Sequence, residues 1–242
     1  MTALRTEGVG SLLRPPELLE ARERLADGRL TALEFKSIED RAVDLVVARQ
    51  EEAGLDVVTD GEVRRLSFQS QMTDAVDGFG ECPIEAFLWG DWHGDEGVGD
   101  RHIERPDGLG VTSRLTRRRH LCAEEFTYLR SRTRRQTKVT LPSPSLWANL
   151  WSPKGAEDVY PTLESFLEDV VAITRDEVEE LVRLGATYIQ IDAPHYMLLV
   201  DSRTRAFYEE RGWDLQRWLS SGIDLDNAVM DGFPEVRFGF HL

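Results

Sequence analysis

Cysteine is nearly absent from this chain. Cys82 and Cys122 are the only two in 242 residues. Two cannot staple a scaffold, so the sequence reads as a protein of a reducing compartment, and a cytoplasmic location is expected. No apolar run approaches the ~20 residues that a membrane-spanning helix needs. The first residues carry no apolar stretch of the kind a secretory signal has, so none is expected. A Gly-x-Gly-x-x-Gly turn between strand and helix is missing, which weakens a dinucleotide-binding reading, and no P-loop is present.

Positive charge is also in short supply. The chain has 29 Lys and Arg against 44 Asp and Glu, a net charge of −15. A general nucleic-acid binder shows a basic face, so that class is set aside. The deficit is uneven. Residues 113–138 hold nine Arg and Lys against two Glu, so this segment is +7 and the remainder −22. The segment can greet a polyanionic small molecule, but the plainer reading is a solvated face that balances an acidic body, and we prefer it. What remains is ordinary for a globular enzyme: 30% charged and 41% hydrophobic residues. The length suits one large domain or two small ones.

The chain alternates helices with short apolar runs. Thr31 and Glu34 form a capping box, and apolar residues at Leu33, Ile38, Ala42, Leu45 and Val46 follow at helical spacing. Gly54 ends that helix, and the strand 55–60 follows at once. The same unit recurs at 162–184, Gly185 and the strand 186–192. Further strands are expected at 138–142 and 235–240, and Gly8–Ser11 closes a first one. Repeated units of this kind predict an α/β fold with a parallel sheet and crossover helices. Residues 78–112 show no period and read as a long loop or insertion.

In parallel sheets functional groups gather at the carboxyl ends of strands. Ser11, Glu62, Ser143, Asp192 and His241 fall there. Glu62 follows the strand 55–60 directly and projects over its end, where a carboxylate binds an ammonium or serves as acid or base. Asp60 beside it reads as a turn residue. Asp192 closes an apolar strand; its alternative role is a helix N-cap. His195 and Tyr196 contact a ligand or only line the rim. Trp147 and Trp151 offer stacking faces or ordinary packing. His120 and Cys122 are metal-ligand types at close spacing, but two ligands do not make a zinc site.

Five segments occur in order: Val9–Pro15, Gln50–Arg65, Leu141–Ser145, Ile189–Pro194 and Phe238–Leu242. Together they resemble the catalytic domain of cobalamin-independent methionine synthase and its shorter single-domain relatives. The resemblance spans nearly the whole chain except residues 78–135, read as an irregular insertion in one domain over 1–242. It implies a (β/α)8 TIM-barrel fold, of which about the first four to five β/α units are present. It implies methyl transfer from a methyl-folate to the thiol of homocysteine, with zinc as cofactor. Gly10 and Ser11 then hold the amino acid, Glu62 and Asp192 its ammonium, and Trp147 lies near the folate. His241 matches the His of the family's His-x-Cys zinc motif, whose Cys would follow Leu242. Truncation, a split enzyme or a half barrel pairing with a second chain or a second copy is therefore expected, with activity impaired in this chain alone. Two other readings stay open. One is a non-catalytic binding or assembly module, and the other a related thiol alkyltransferase, such as a coenzyme M transferase. A metal-free carboxylate-pair hydrolase fits less well, because Arg64 and Arg65 beside Glu62 would lower carboxylate pKa values.

Overall fold

The computed structural model describes residues 5–81, 91–92, 101–102, 109–156, 158–210 and 214–242. Its backbone is a series of short parallel strands flanked by long helices. Val57–Val58 pairs in parallel with Gln136–Thr137, and Glu7 bridges to Val57 on the other side. After Lys138 the same stretch of chain continues as Val139–Pro142, which pairs in parallel with Tyr188–Asp192. Arg237–His241 joins in parallel on the far side of Tyr188–Asp192. The α/β class with crossover helices is thus present. The strands do not close into a barrel among the described residues.

Two helices of 21 residues supply the main crossovers. Ala32–Glu52 starts at the Thr31–Glu34 capping box, with both reciprocal bonds made. Leu163–Arg183 starts at a second box, Thr162 with Ser165. Its Phe166, Val170, Val178 and Leu181 form a buried stripe at helical spacing. Val178 and Leu181 of that stripe pack with Leu141, Ile189 and Ile191 of the sheet, together with Phe126 and Val229. Helix Ala32–Glu52 packs Val43 and Val46 on Val58, Val63 and Leu18. Strands Val139–Pro142 and Tyr188–Asp192 are buried at every position, as parallel strands covered on both faces should be.

Residues 78–135 are more regular than expected. Val76–Glu81 and Leu109–Arg117 form an antiparallel ribbon, and Ala123–Arg132 is a helix. The ribbon was not legible because a bulge between Asp77 and Phe79 breaks the alternation. Gly78, at φ 120°, sits at that bulge with Ser113 and Arg114 carbonyls close by. Residues 82–90, 93–100 and 103–108 of the expected loop, Cys82 among them, lie outside the described residues.

The basic segment behaves as a balanced face. Arg114 pairs with Asp169, Arg117 with Asp176, Arg118 with Asp77 and Arg132 with Asp44. These are acidic residues of neighbouring elements, so the +7 segment is largely neutralised within the chain.

Candidate functional site

A cavity of about 330 Å³ opens at the carboxyl ends of the parallel strands. Its polar lining comes from Ser11, Glu62, Asp192 and His241, with the backbone of Gly10. Val9, Phe68 and Pro194 supply the apolar wall. Five positions singled out in the sequence, Gly10, Ser11, Glu62, Asp192 and His241, therefore meet in one place. They come from segments up to 231 residues apart in the chain.

Glu62 is built into the site with care for its geometry. It is 1% exposed and lies in the turn Asp60–Gly61–Glu62. Its φ is 53°, the left-handed region that side-chain-bearing residues avoid. Such a conformation costs about 1–3 kcal/mol and persists only where the surroundings enforce it. Here Asp60 Oδ1 accepts the Glu62 N–H at 3.0 Å, and Thr59 Oγ1 accepts the Gly61 N–H at 3.0 Å. Asp60 is thus the turn residue expected, though it is buried rather than solvated. The Glu62 carboxylate accepts from Ser11 Oγ and from Thr140 Oγ1, the latter at 2.5 Å. A Cβ on Gly10 would lie 2.9 Å from Glu62 Oε1, so only glycine lets the first segment approach this carboxylate.

Behind Glu62 lies Arg65, 3% exposed. It pairs with Glu125 at 2.9 Å and with Glu62 at 3.5 Å. Burial works against its charge, yet Glu125, Glu62 and Asp60 outweigh it and raise its pKa. Burial pushes the Glu125 carboxyl up to about 7, against the opposing pull of Arg65. Arg64 turns away, to Glu39 and Asp40. Arg14 and Arg22 donate to the backbone carbonyls of Glu62, Val63 and Arg65 and so fix the turn from outside.

Asp192 is 3% exposed at the end of its strand. It does not act as a helix cap; the short helix His195–Leu198 has Pro194 at its N-cap and no side-chain cap bond. Instead Asp192 Oδ1 accepts from Gln190 Nε2 at 2.7 Å and meets His241 Nδ1 at 3.0 Å. Burial, reinforced by the nearby charge of Glu62, raises its pKa, with Gln190 and His241 opposing. A second carboxylate close enough to raise the Asp192 pKa makes the cavity a place that invites a cation.

Trp147 does not reach this cavity. It is 2% exposed in the core and packs on Phe79, with ring centroids 6.2 Å apart. It packs in the core from the 3-10 turn Pro144–Leu150. Trp151 is half-buried and donates to the Tyr160 carbonyl at 3.0 Å. His120 and Cys122 have their partner within the chain. Buried Glu177 accepts the backbone N–H of Leu121 and of Cys122 and meets His120 Nδ1 at 3.1 Å. Burial and then Glu177 raise the Cys122 pKa, so its thiol is held protonated and unreactive.

His195 and Tyr196 belong to a separate buried network beside the strand ends. Ser145 Oγ meets His195 Nε2 at 2.8 Å and Ser143 Oγ at 2.9 Å. Ser143 and Tyr196 both donate to Asp226, at 2.6 and 2.9 Å. Burial lowers the His195 pKa to about 4, so the ring stays neutral. Burial raises the Asp226 pKa to about 6, against the pull of its two hydroxyl donors. A buried acid with a raised pKa holds an extra proton in the folded state between its unfolded value, 3.8, and about 6. Its contribution to stability therefore falls as pH rises through that window, by about 3 kcal/mol in all. Asp226→Asn is expected to lose this slope. Urea denaturation at pH 4.5 and 7.5 should show the variant gaining on the wild type by about 2 kcal/mol at the higher pH, the part of the window above pH 4.5. A difference independent of pH would refute the assignment.

Residues that sequence reasoning passed over are Lys138, Thr140, Gln190 and Phe68. Lys138 and Thr140, and likewise Gln190 and Asp192, stand two apart on buried strands and so share a face. Polar side chains at alternate positions of an otherwise apolar strand were the available signal.

Zinc fits these residues poorly. Among the described residues that line the cavity only His241 is a nitrogen ligand, and its Nδ1 faces Asp192. Among the described residues no group of three or more His, Cys, Asp or Glu side chains could hold a metal ion.

Comparison with known proteins shows the family of this chain. The family model described as "Cobalamin-independent synthase, Catalytic domain" matches residues 4–229. Uncharacterized protein YxjH of Bacillus subtilis is 28% identical, over 98% of this chain and 61% of its own length. A 5-methyltetrahydropteroyltriglutamate–homocysteine methyltransferase of Corynebacterium glutamicum is 29% identical, over 100% of this chain and 30% of its own length. A solved putative vitamin-B12 independent methionine synthase from Listeria monocytogenes superposes with a TM-score of 0.72 at 22% identity, covering 99% of this chain and 65% of that one. A B12-independent methionine synthase from Shewanella sp. W3-18-1, solved in complex with selenomethionine, gives 0.66 at 21%, covering 99% and 61%. The chain spans less than two thirds of the length of each.

Proposed function

The chain belongs to the family of cobalamin-independent synthase catalytic domains, and on that premise we propose that its cavity holds the amino-acid end of homocysteine as the acceptor in methyl transfer from a methyl-folate. The observation that carries this is the convergence of two buried carboxylates, Glu62 and Asp192, on a small cavity with no Lys or Arg among the described residues of its lining. An ammonium group satisfies both carboxylates and removes their mutual repulsion. The Ser11 hydroxyl and the Gly10–Ser11 backbone lie beside them, where the α-carboxylate of the same ligand would rest. Val9, Phe68 and Pro194 suit the methylenes that lead to the sulfur. The cavity thereby orients an acceptor, and orientation is a large part of what a transfer reaction needs.

The same premise extends the parallel strands into part of a (β/α)8 barrel with the cavity at their carboxyl ends. Trp147, buried in the core, takes no part in this reading. Zinc would supply thiolate activation in a synthase of this family, but the described residues do not assemble its site, so no step is drawn through it. That mismatch favours a second reading, in which the chain binds the amino acid without chemistry.

Isothermal titration tests the acceptor assignment. L-homocysteine is expected to bind far more tightly than 4-mercaptobutyrate, which lacks only the ammonium. Equal affinity for the two would overturn it. Methionine formation on adding a methyl-folate and zinc then separates the catalytic reading from the binding one.

A further inference from the structure

The first chain segment supplies Val9, Gly10 and Ser11 to the cavity, yet it has little sheet of its own. Its ties to the ladder are the bridge from Glu7 to Val57 and the two N–H groups of Asp56 and Val57 on the Thr6 carbonyl. Two buried side chains take over where the ladder stops. Lys138 Nζ donates to the carbonyls of Gly8 and Val9, at 2.7 and 3.0 Å. It also pairs with Glu7 at 3.1 Å. Gln190 Nε2 donates to the Val9 carbonyl at 2.8 Å and to Asp192 Oδ1 at 2.7 Å. Gln190 Oε1 accepts from Lys138 Nζ at 2.7 Å. An ammonium only donates, so this contact fixes which way the amide faces.

We propose that Gln190, oriented by Lys138, is the positioning residue that couples the two walls of the cavity. One N–H of its amide holds the segment bearing Gly10 and Ser11, and the other holds the Asp192 carboxylate. Gln190 is not among the described residues that line the cavity; it sets the distance between two groups that are. The physical requirement is a side chain with two donors and one acceptor at this point of the strand. Of the neutral side chains, only a primary amide provides that set. Its burial protects these bonds from competition with water, where they are worth most.

The consequence for recognition rests on the amino-acid reading of the cavity. Gln190→Met keeps the volume and removes all three hydrogen bonds. It is expected to cut the preference for L-homocysteine over 4-mercaptobutyrate at least tenfold, because Asp192 loses its place more than the apolar wall does. A residue that merely supported the fold would weaken both ligands alike, and that result would overturn the proposal. A second measurement needs no ligand. The amide protons of Thr6 and Leu12, both hydrogen-bonded in the wild type, should exchange at least tenfold faster in Gln190→Met. Those of the helix Ala32–Glu52 should stay unchanged. Unchanged exchange at Thr6 and Leu12 would also overturn it. If wild type binds neither thiol, the amino-acid reading fails and the exchange result alone decides the coupling. If Gln190→Met does not fold, the wild type still answers. Both Gln190 side-chain N–H resonances should be resolved and protected from solvent exchange, and rapid exchange of either would refute the role.

Discussion

Glu62→Gln and Asp192→Asn are each expected to weaken L-homocysteine binding roughly a hundredfold, about 2.8 kcal/mol. Each change keeps the side-chain shape and removes one of the two charges that an ammonium meets in the cavity. Binding to 4-mercaptobutyrate should hardly change, since that ligand brings no ammonium. Stability should change far less than binding. In Glu62→Gln the amide oxygen still accepts from Thr140, and Arg65 keeps its 2.9 Å pair with Glu125. In Asp192→Asn the remaining oxygen still accepts from Gln190. Titration calorimetry read beside urea denaturation separates the two effects. Should either variant unfold at the concentration of urea that leaves the wild type native, with affinity unchanged where it is folded, the carboxylate is a structural part and the site reading fails.

The second large effect lies far from the cavity. Glu177→Ala is expected to cost about 3–5 kcal/mol of stability, because it strands buried donors rather than merely removing a contact. Glu177 is fully buried in the helix Leu163–Arg183. Its two oxygens accept the N–H groups of Leu121, at 2.6 Å, and Cys122, at 2.9 Å. Those groups stand at the start of the helix Ala123–Arg132, whose N-cap, Cys122, has no side-chain cap bond of its own. A carboxylate from another helix does the capping, and its charge also suits the positive end of the helix. The melting temperature should fall by roughly 10 °C for a chain of this size. Glu177→Gln should cost less, since one acceptor oxygen remains. A loss under about 1 kcal/mol for Glu177→Ala would show that the helix start is satisfied by other means.

The site was legible in the sequence to a useful degree. Glu62 and Asp192 each follow a short apolar run, and a carboxylate in that place is unusual enough to notice. Gly10, Ser11 and His241 gained meaning only from the order of the motifs. Trp147 shows the limit. An aromatic residue shortly after a strand end is equally suited to a rim and to a core, and only the direction of the 3-10 turn decides which. His120 and Cys122 show the same limit from the other side. Their spacing resembles a ligand pair, yet their partner is Glu177, more than fifty positions away.

Local chemistry therefore determined a great deal by itself. Capping boxes, helical periodicity and the glycines after helices depend on residues within one or two turns of each other, so the helices 32–52 and 163–183 could be placed from the sequence. The net charge of −15 and the +7 segment were equally visible. What the tertiary structure alone decided were the long-range pairings. It set the basic segment against Asp77, Asp169 and Asp176, and it bound Lys138 and Gln190 to a segment some 130 and 181 positions away. It also gave Glu62 a positive φ that no local preference would choose. Such contacts depend on which strands become neighbours, and strand order is a property of the whole chain. Periodicity reports which face of an element is buried, but not what it is buried against.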